Sequence, residues 1–294
     1  RYYVDQTPRV ADFDSLRVGA SWDTVAAANS AWKTMLVSGM NKGGKGYFAL
    51  DVTDTKDDDT TSEAALATKR LLWEFSDADM GFTYGKPLVT KTRKYGWVAV
   101  LSSGYNNTTG PNAGKGVLFV LNALTGELLE KIVTAEGSAA DPLNMAPLTG
   151  FTRSYADYTT EQVYAGDLKG NLWRFDLSQP KTNTTPFPAP VKVAELKDAS
   201  GNAQPITTAP QIEFDQNGVT RWVFVGTGKL LDVPDLLDNK TQTMYAFRDG
   251  TVDSPNTTSL PVTRAVLAQA TDVNVVTGGV NTAAPGIIGW YRDM

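Results

Sequence analysis

The chain has 294 residues, 41% hydrophobic and 20% charged, with a formal net charge of −5. That composition supports a sizeable core and excludes a disordered chain, and the Lys and Arg residues are scattered with no basic stripe, which sets aside nucleic acid and anionic membrane surfaces as partners. Cysteine and histidine are both absent, which excludes disulfides, thiolate nucleophiles, Ser-His and Cys-His catalysis within this chain, and imidazole-held zinc, copper or haem; a metal here needs oxygen ligands, as calcium and magnesium do.

In chain order, one unit recurs: an apolar strand, a short Gly-rich turn, a second strand ending in Asp or Asn, then a turn. Its copies are residues 43–53, 114–126 and 166–177, and a weaker fourth begins at 226–229 with its second strand displaced to 242–249. Equivalent glycines Gly46, Gly116 and Gly170 are spaced by 70 and then 54 residues. Propeller blades recur every ~40–50 residues, so these spacings read as blades with insertions in their loops. Runs such as 97–101 and 222–225 are apolar throughout, which suits strands covered on both faces. The glycines supply positive φ for tight hairpins, and each Asp bonds its own backbone to start a turn.

Short helices are expected at 24–31 and at 62–70. The second has Glu63 near its start and Lys69 and Arg70 near its end, as the helix dipole favours. Both lie in insertions, as does 232–239, and the Pro- and Thr-rich stretch 178–191 reads as a surface loop. No segment approaches the ~20 apolar residues of a membrane helix. Arg1 opens directly into what reads as a strand and 289–294 reads as a strand beginning, so the chain is expected to have been cut from a longer protein at both ends. The expected fold is all-β: one partial propeller domain over 1–294, with blades near 1–76, 77–137, 138–203 and 204–252 and the start of a further blade at 253–294.

Acidic residues are the remaining candidates for chemistry. Asp51, Asp54, Asp57, Asp58 and Asp59 crowd one insertion and read as a solvated loop. Asp215 to Gly218 reads as a hairpin turn. Asp77 and Asp79 are the right residue types for glycoside hydrolysis, but nothing places a second carboxylate across the bond from them. No residue is assigned a catalytic role.

The string from Tyr164 to Leu177 resembles those of quinoprotein-type propellers, and in this form it resembles the C-terminal propeller of the PilC/PilY family of type IV pilus factors. Strings at 3–12, 32–53, 73–87, 224–231 and 289–291 match in the same order, so the resemblance covers nearly the whole chain. It implies a non-enzymatic binding module, exported to the periplasm, outer membrane, cell surface or pilus tip. There it would support pilus assembly against retraction, adhesion and twitching motility. The implied partners are minor pilins and tip components, with host-cell or abiotic surfaces as adhesion targets. Insertions 54–70, 178–191 and 232–241 are the loops that would present binding surface. Two other readings remain: a periplasmic scaffold for outer-membrane assembly, and a quinone-dependent dehydrogenase, which such enzymes often support with a vicinal cysteine pair that this chain lacks.

The resemblance also implies calcium. The family carries a D-x-D-x-D-x-x-x-D loop just before the Tyr164 string, and the matching stretch here is 153–161. Arg153 and Tyr155 stand at the first two ligand positions. Asp157 keeps the family residue and Glu161 is a conservative replacement. Two expectations follow: calcium held by Asp157 and Glu161, or a metal-free turn in which Arg153 pairs with Asp157 or Glu161 in the cation's place.

Overall fold

A computed structural model describes residues 3–26, 28–56, 61–154, 156–271 and 284–294. The described residues form a run of β-sheets. The first joins β1 (Arg9–Asp14), β2 (Trp32–Gly39), β3 (Tyr47–Asp51) and β4 (Leu71–Phe75) in that order, all antiparallel. The second repeats the meander with β5 (Leu88–Thr92), β6 (Gly96–Ser102), β7 (Val117–Asn122) and β8 (Leu128–Val133). The third contains β9 (Met145–Thr152), β10 (Thr160–Asp167), β11 (Asn171–Asp176) and β12 (Val191–Glu195). This is the all-β, four-stranded repeat that the glycine spacing predicts.

The fourth sheet departs from the pattern. It contains β13 (Gln211–Phe214), β14 (Thr220–Gly226), β15 (Thr243–Thr251), β16 (Leu267–Gln269) and β17 (Gly289–Asp293), in the order β13-β14-β15-β17-β16. Residues 253–294 were expected to open a further blade. Instead β17 pairs antiparallel with β15 from Thr243↔Asp293 to Phe247↔Gly289, and β16 adds to it in parallel. Tyr245 and Tyr291, opposed across that pairing, carry aromatic surface that the edge of β15 would otherwise expose.

The chain divides into two compact units: residues 1–163 with 175–190, and residues 164–174 with 191–294. In the first unit, β6 and β7 are buried along their whole length, as their unbroken apolar runs require. Phe13, Met35, Tyr47, Trp73, Trp97, Leu101 and Phe119 anchor one core. The Trp73 indole donates to the Ala123 carbonyl at 2.9 Å, which satisfies its one polar atom as it packs over the next sheet's turn. That turn needs Gly126 twice: its φ is +70°, and a Cβ there would lie 2.5 Å from Cγ of Trp73.

The residues closing the first three repeats do what their chemistry predicts. Asp51 accepts from the Thr53 backbone N–H (3.0 Å), Asn122 from those of Leu124 and Thr125 (3.0 and 3.2 Å), and Asp176 from that of Ser178 (2.9 Å). Asp215 likewise accepts from Val219 and Thr220 in a hairpin turn.

The insertions divide. Helix α1 (Glu63–Arg70) forms as expected, with Ser62 capping its first turn. The expected helix at 24–31 is absent among the described residues there. The Ala26 carbonyl, which a helix would use, accepts instead from the Asn29 N–H and the Arg17 guanidinium, and Arg17 also reaches the Asn29 carbonyl. Eight residues with no buried face cannot outweigh the cost of helix nucleation. The expected strand over 3–12 begins only at Arg9.

Candidate functional site

The loop between β9 and β10 is where the calcium expectation falls. Glu161 is buried and its Oε1 accepts from two guanidinium groups, Arg93 at 3.0 Å and Arg153 at 3.2 Å. Asp157 turns its Oδ1 onto the Thr159 N–H at 2.9 Å, and the Lys91 ammonium lies 3.4 Å from the Asp157 carbonyl. The two expected ligands are therefore not brought together on one centre. Tyr155 lies outside the described residues. Among the described residues no group of three or more acidic side chains converges anywhere.

This donor set does not fit a divalent cation. One carboxylate is held by two fixed positive charges, the other by its own turn, and a lysine stands beside the loop, so a calcium ion would meet net repulsion. Arginine forks bind carboxylate in the cation's place. Adding calcium or a chelator is accordingly expected to leave the melting temperature of this chain unchanged within error, whereas Glu161→Gln is expected to lower it; differential scanning fluorimetry reads both. Arg93 is the partner that sequence reasoning missed. It lies 68 residues from Glu161, in the turn after β5, and no local pattern links the two.

The same loop holds a strained residue. Tyr158 sits at φ +55°, where a bulky side chain costs about 1–3 kcal/mol. Its carbonyl accepts from Thr90 Oγ1 (3.2 Å) and the Lys91 N–H (3.4 Å), and these bonds with the arginine pair hold it there. The ring is 58% exposed.

The other acidic candidates are structural. Lys131 bridges Asp77 (2.7 Å) and Asp79 (3.0 Å), and Asp79 is fully buried on the backbone and side chain of Asn112. Burial works to raise the Asp79 carboxyl, but Asn112 and Lys131 outweigh it and hold it below the usual range. Lys131 thus ties both carboxylates into one ion-paired network. Asp51 pairs with Lys33 at 2.5 Å and Asp54 caps the Lys56 N–H; Asp57, Asp58 and Asp59 lie outside the described residues.

In the second unit the Tyr164 string builds two buried polar centres. Asp167 accepts from the backbone of Lys169 and of Asn171, from the Asn171 amide and from the Trp173 indole, each at 2.9 Å. Burial pushes its carboxyl up to about 6, against the pull of Trp173, Asn171 and Lys169. A raised folded value means that the folded state takes up its proton first as pH falls. The stability this group confers is thus complete below its unfolded value near 4 and is lost as pH rises through about 6. The gap in urea midpoint between the parent chain and Asp167→Asn is expected to narrow from pH 4 to pH 7.

The second centre is Asp249, the residue that closes the fourth repeat. It does not start a turn as its counterparts do. It is fully buried and accepts from Arg174 Nη1 at 2.6 Å to each oxygen, from the Tyr164 hydroxyl at 2.6 Å and from the Asn256 N–H at 3.2 Å. Arg221, also fully buried, donates to the Tyr164 hydroxyl (3.0 Å) and the Val252 carbonyl (2.9 Å). Burial first, and then the Asp249 charge, keep the Tyr164 phenol protonated far above its ordinary range.

The insertion between β14 and β15 presents the opposite chemistry. A 3-10 helix over Val233–Leu237 is set by a capping box between Asp232 and Asp235 and by Pro234 in its first turn. Leu230, Val233, Leu236 and Leu237 are 69%, 73%, 69% and 87% exposed. Four large apolar side chains are thus exposed on one short, capped segment.

Comparison with known proteins accords with this architecture. The chain is 32% identical over its full length to a type IV pilus biogenesis factor PilY1 homolog of Xylella fastidiosa, and 30% identical over its full length to type IV pilus biogenesis factor PilY1 of Pseudomonas aeruginosa. It spans 21% and 26% of those two proteins. The crystal structure of the Pseudomonas aeruginosa PilY1 C-terminal domain superposes over 99% of this chain and 62% of that one, with a TM-score of 0.72 at 26% identity. A family model described as the PilY1 β-propeller domain matches residues 1–277, and the chain belongs to that family.

Proposed function

We propose that this chain is a non-enzymatic binding module of an exported type IV pilus factor, acting at the cell surface or pilus tip. It would support pilus assembly against retraction, and through the pilus adhesion to surfaces and twitching motility. The family membership supports the pilus setting. The observation that carries the binding role is the exposed apolar face of the 230–237 insertion, offered to a minor pilin or another tip component. The absence of enzyme chemistry is supported by the state of the acidic groups: Asp77, Asp79, Asp167 and Asp249 are all tied to cations or to convergent donors.

The test is a count of surface pili in a strain lacking the whole gene, with and without complementation. Pili are expected to disappear and to return with the gene. Unchanged pilus number and unchanged twitching would sink the proposal.

A further inference from the structure

A second surface, in the first unit, has a different chemistry. A cavity of about 340 Å³ opens between β1, the start of β2, the β5–β6 hairpin and Tyr158. Its walls include Val10, Asp12, Trp32, Trp97 and Tyr158, with Arg9 at the rim of the same strand. Trp32 and Tyr158 are 57% and 58% exposed, and Val10 is 52% exposed. Trp32 is nonetheless fixed, because it packs edge to face on buried Trp97 with centroids 5.9 Å apart and planes at 77°.

Each feature has an ordinary explanation alone, but together they are specific. A chain that only needed to cover β1 would not expose two large rings. Tyr158 is held in a strained left-handed conformation by bonds from Thr90 and Lys91, on the loop that the arginine pair on Glu161 closes. Strain of this kind persists where the surroundings impose it, and binding sites are where it collects. The polar element is Asp12. It shares a face of β1 with Val10 by strand alternation, and one of its oxygens accepts from Thr34 at 2.6 Å. Its other oxygen has acceptor capacity left.

We infer that this cavity is a binding site for a neutral saccharide, with a sugar ring stacked on Trp32, flanked by Tyr158, and a hydroxyl donating to Asp12. Rigid exposed rings supply apolar contact to the C–H face of a sugar at small entropic cost, and a carboxylate at their edge orients its hydroxyls. A cationic ligand is disfavoured because Arg9 lines the same cavity, and because Trp97, the ring that would complete an aromatic cage, is buried against Trp32. An acidic sugar is disfavoured by the Asp12 charge.

The experiment uses the intact protein labelled with 5-fluorotryptophan, the Trp32 signal being assigned from Trp32→Phe. Tetrasaccharides of β-1,4-linked glucose, of α-1,4-linked glucose and of N-acetylglucosamine are titrated, with tetragalacturonate and tetramethylammonium as rival ligands. At least one neutral sugar is expected to shift the Trp32 fluorine resonance saturably. Read by isothermal titration calorimetry, which needs no Trp32 signal, Trp32→Ala and Tyr158→Gly are each expected to weaken that binding by about tenfold or more. Tyr158→Gly removes the ring and relieves the strain at once, so lost binding cannot be assigned to lost folding. No shift at millimolar sugar, a calorimetric affinity unaffected by both substitutions, or binding of only the acidic or cationic probe would each overturn the inference. So would a Trp32 resonance shielded from a soluble paramagnetic agent, since another part of the intact protein would then occupy the cavity.

Discussion

Replacing Asp249 with alanine is expected to destabilise the second unit by about 3–5 kcal/mol, the range for breaking a buried ion pair from one side. Among the described residues, Asp249 is the only carboxylate paired with Arg174, and Arg221 lies one hydroxyl away. Without the carboxylate, the Arg174 guanidinium stays buried beside a second buried guanidinium, and the Tyr164 hydroxyl loses its acceptor. Asp249→Asn keeps one acceptor oxygen and the shape while losing the charge, so it should fall between the parent and the alanine variant. Urea unfolding followed by amide hydrogen exchange reads the result. Protection should fall in β14 and β15 and in residues 171–174 of β11, while β6 and β7 of the first unit keep theirs. A loss below about 1 kcal/mol would mean that solvent reaches Arg174.

The second large effect is expected in the cell. A Leu236→Asp, Leu237→Asp double variant, complementing the gene deletion, should cut surface pili by about tenfold or more, because truncating a hot spot commonly costs 2 kcal/mol or more of binding. Both side chains are more than two-thirds exposed in the free chain, so its stability should move by less than about 0.5 kcal/mol. That contrast separates a docking surface from a folding element. Electron microscopy counts the pili, and immunoblotting verifies equal protein. Normal pilus number with normal protein level would free this insertion of any part in assembly.

What was legible in the sequence was what local chemistry dictates. Glycines at hairpins, Asp51, Asn122 and Asp176 at turns, and unbroken apolar runs for β6 and β7 all act within a few residues of themselves. Helix α1 was legible because its cap and end charges are adjacent in sequence. Asp249 was misread for the complementary reason. Its position in the repeat says turn, but Arg174 and Tyr164, 75 and 85 residues earlier, claim the carboxylate. The 153–161 loop is intermediate: the pairing of Arg153 with Glu161 was legible from an arginine standing at a ligand position, while Arg93 gave no signal. Residues 24–31 looked helical by composition, and a distant preference, the carbonyl bonds to Arg17, prevailed. The apolar insertion had a visible pattern in Leu230, Val233, Leu236 and Leu237, but exposure is not a property that a sequence displays.

The order of the fourth sheet sets a timetable for folding. β15 acquires its outer neighbour only from β17, so this sheet waits for residues 289–293, while the first sheet needs nothing beyond residue 75. A chain that threads through a membrane pore from its N-terminus would close its first two meanders while the flank of β15 stays open to any extended peptide nearby. Until residues 289–293 pair with it, β15 therefore keeps an open strand edge.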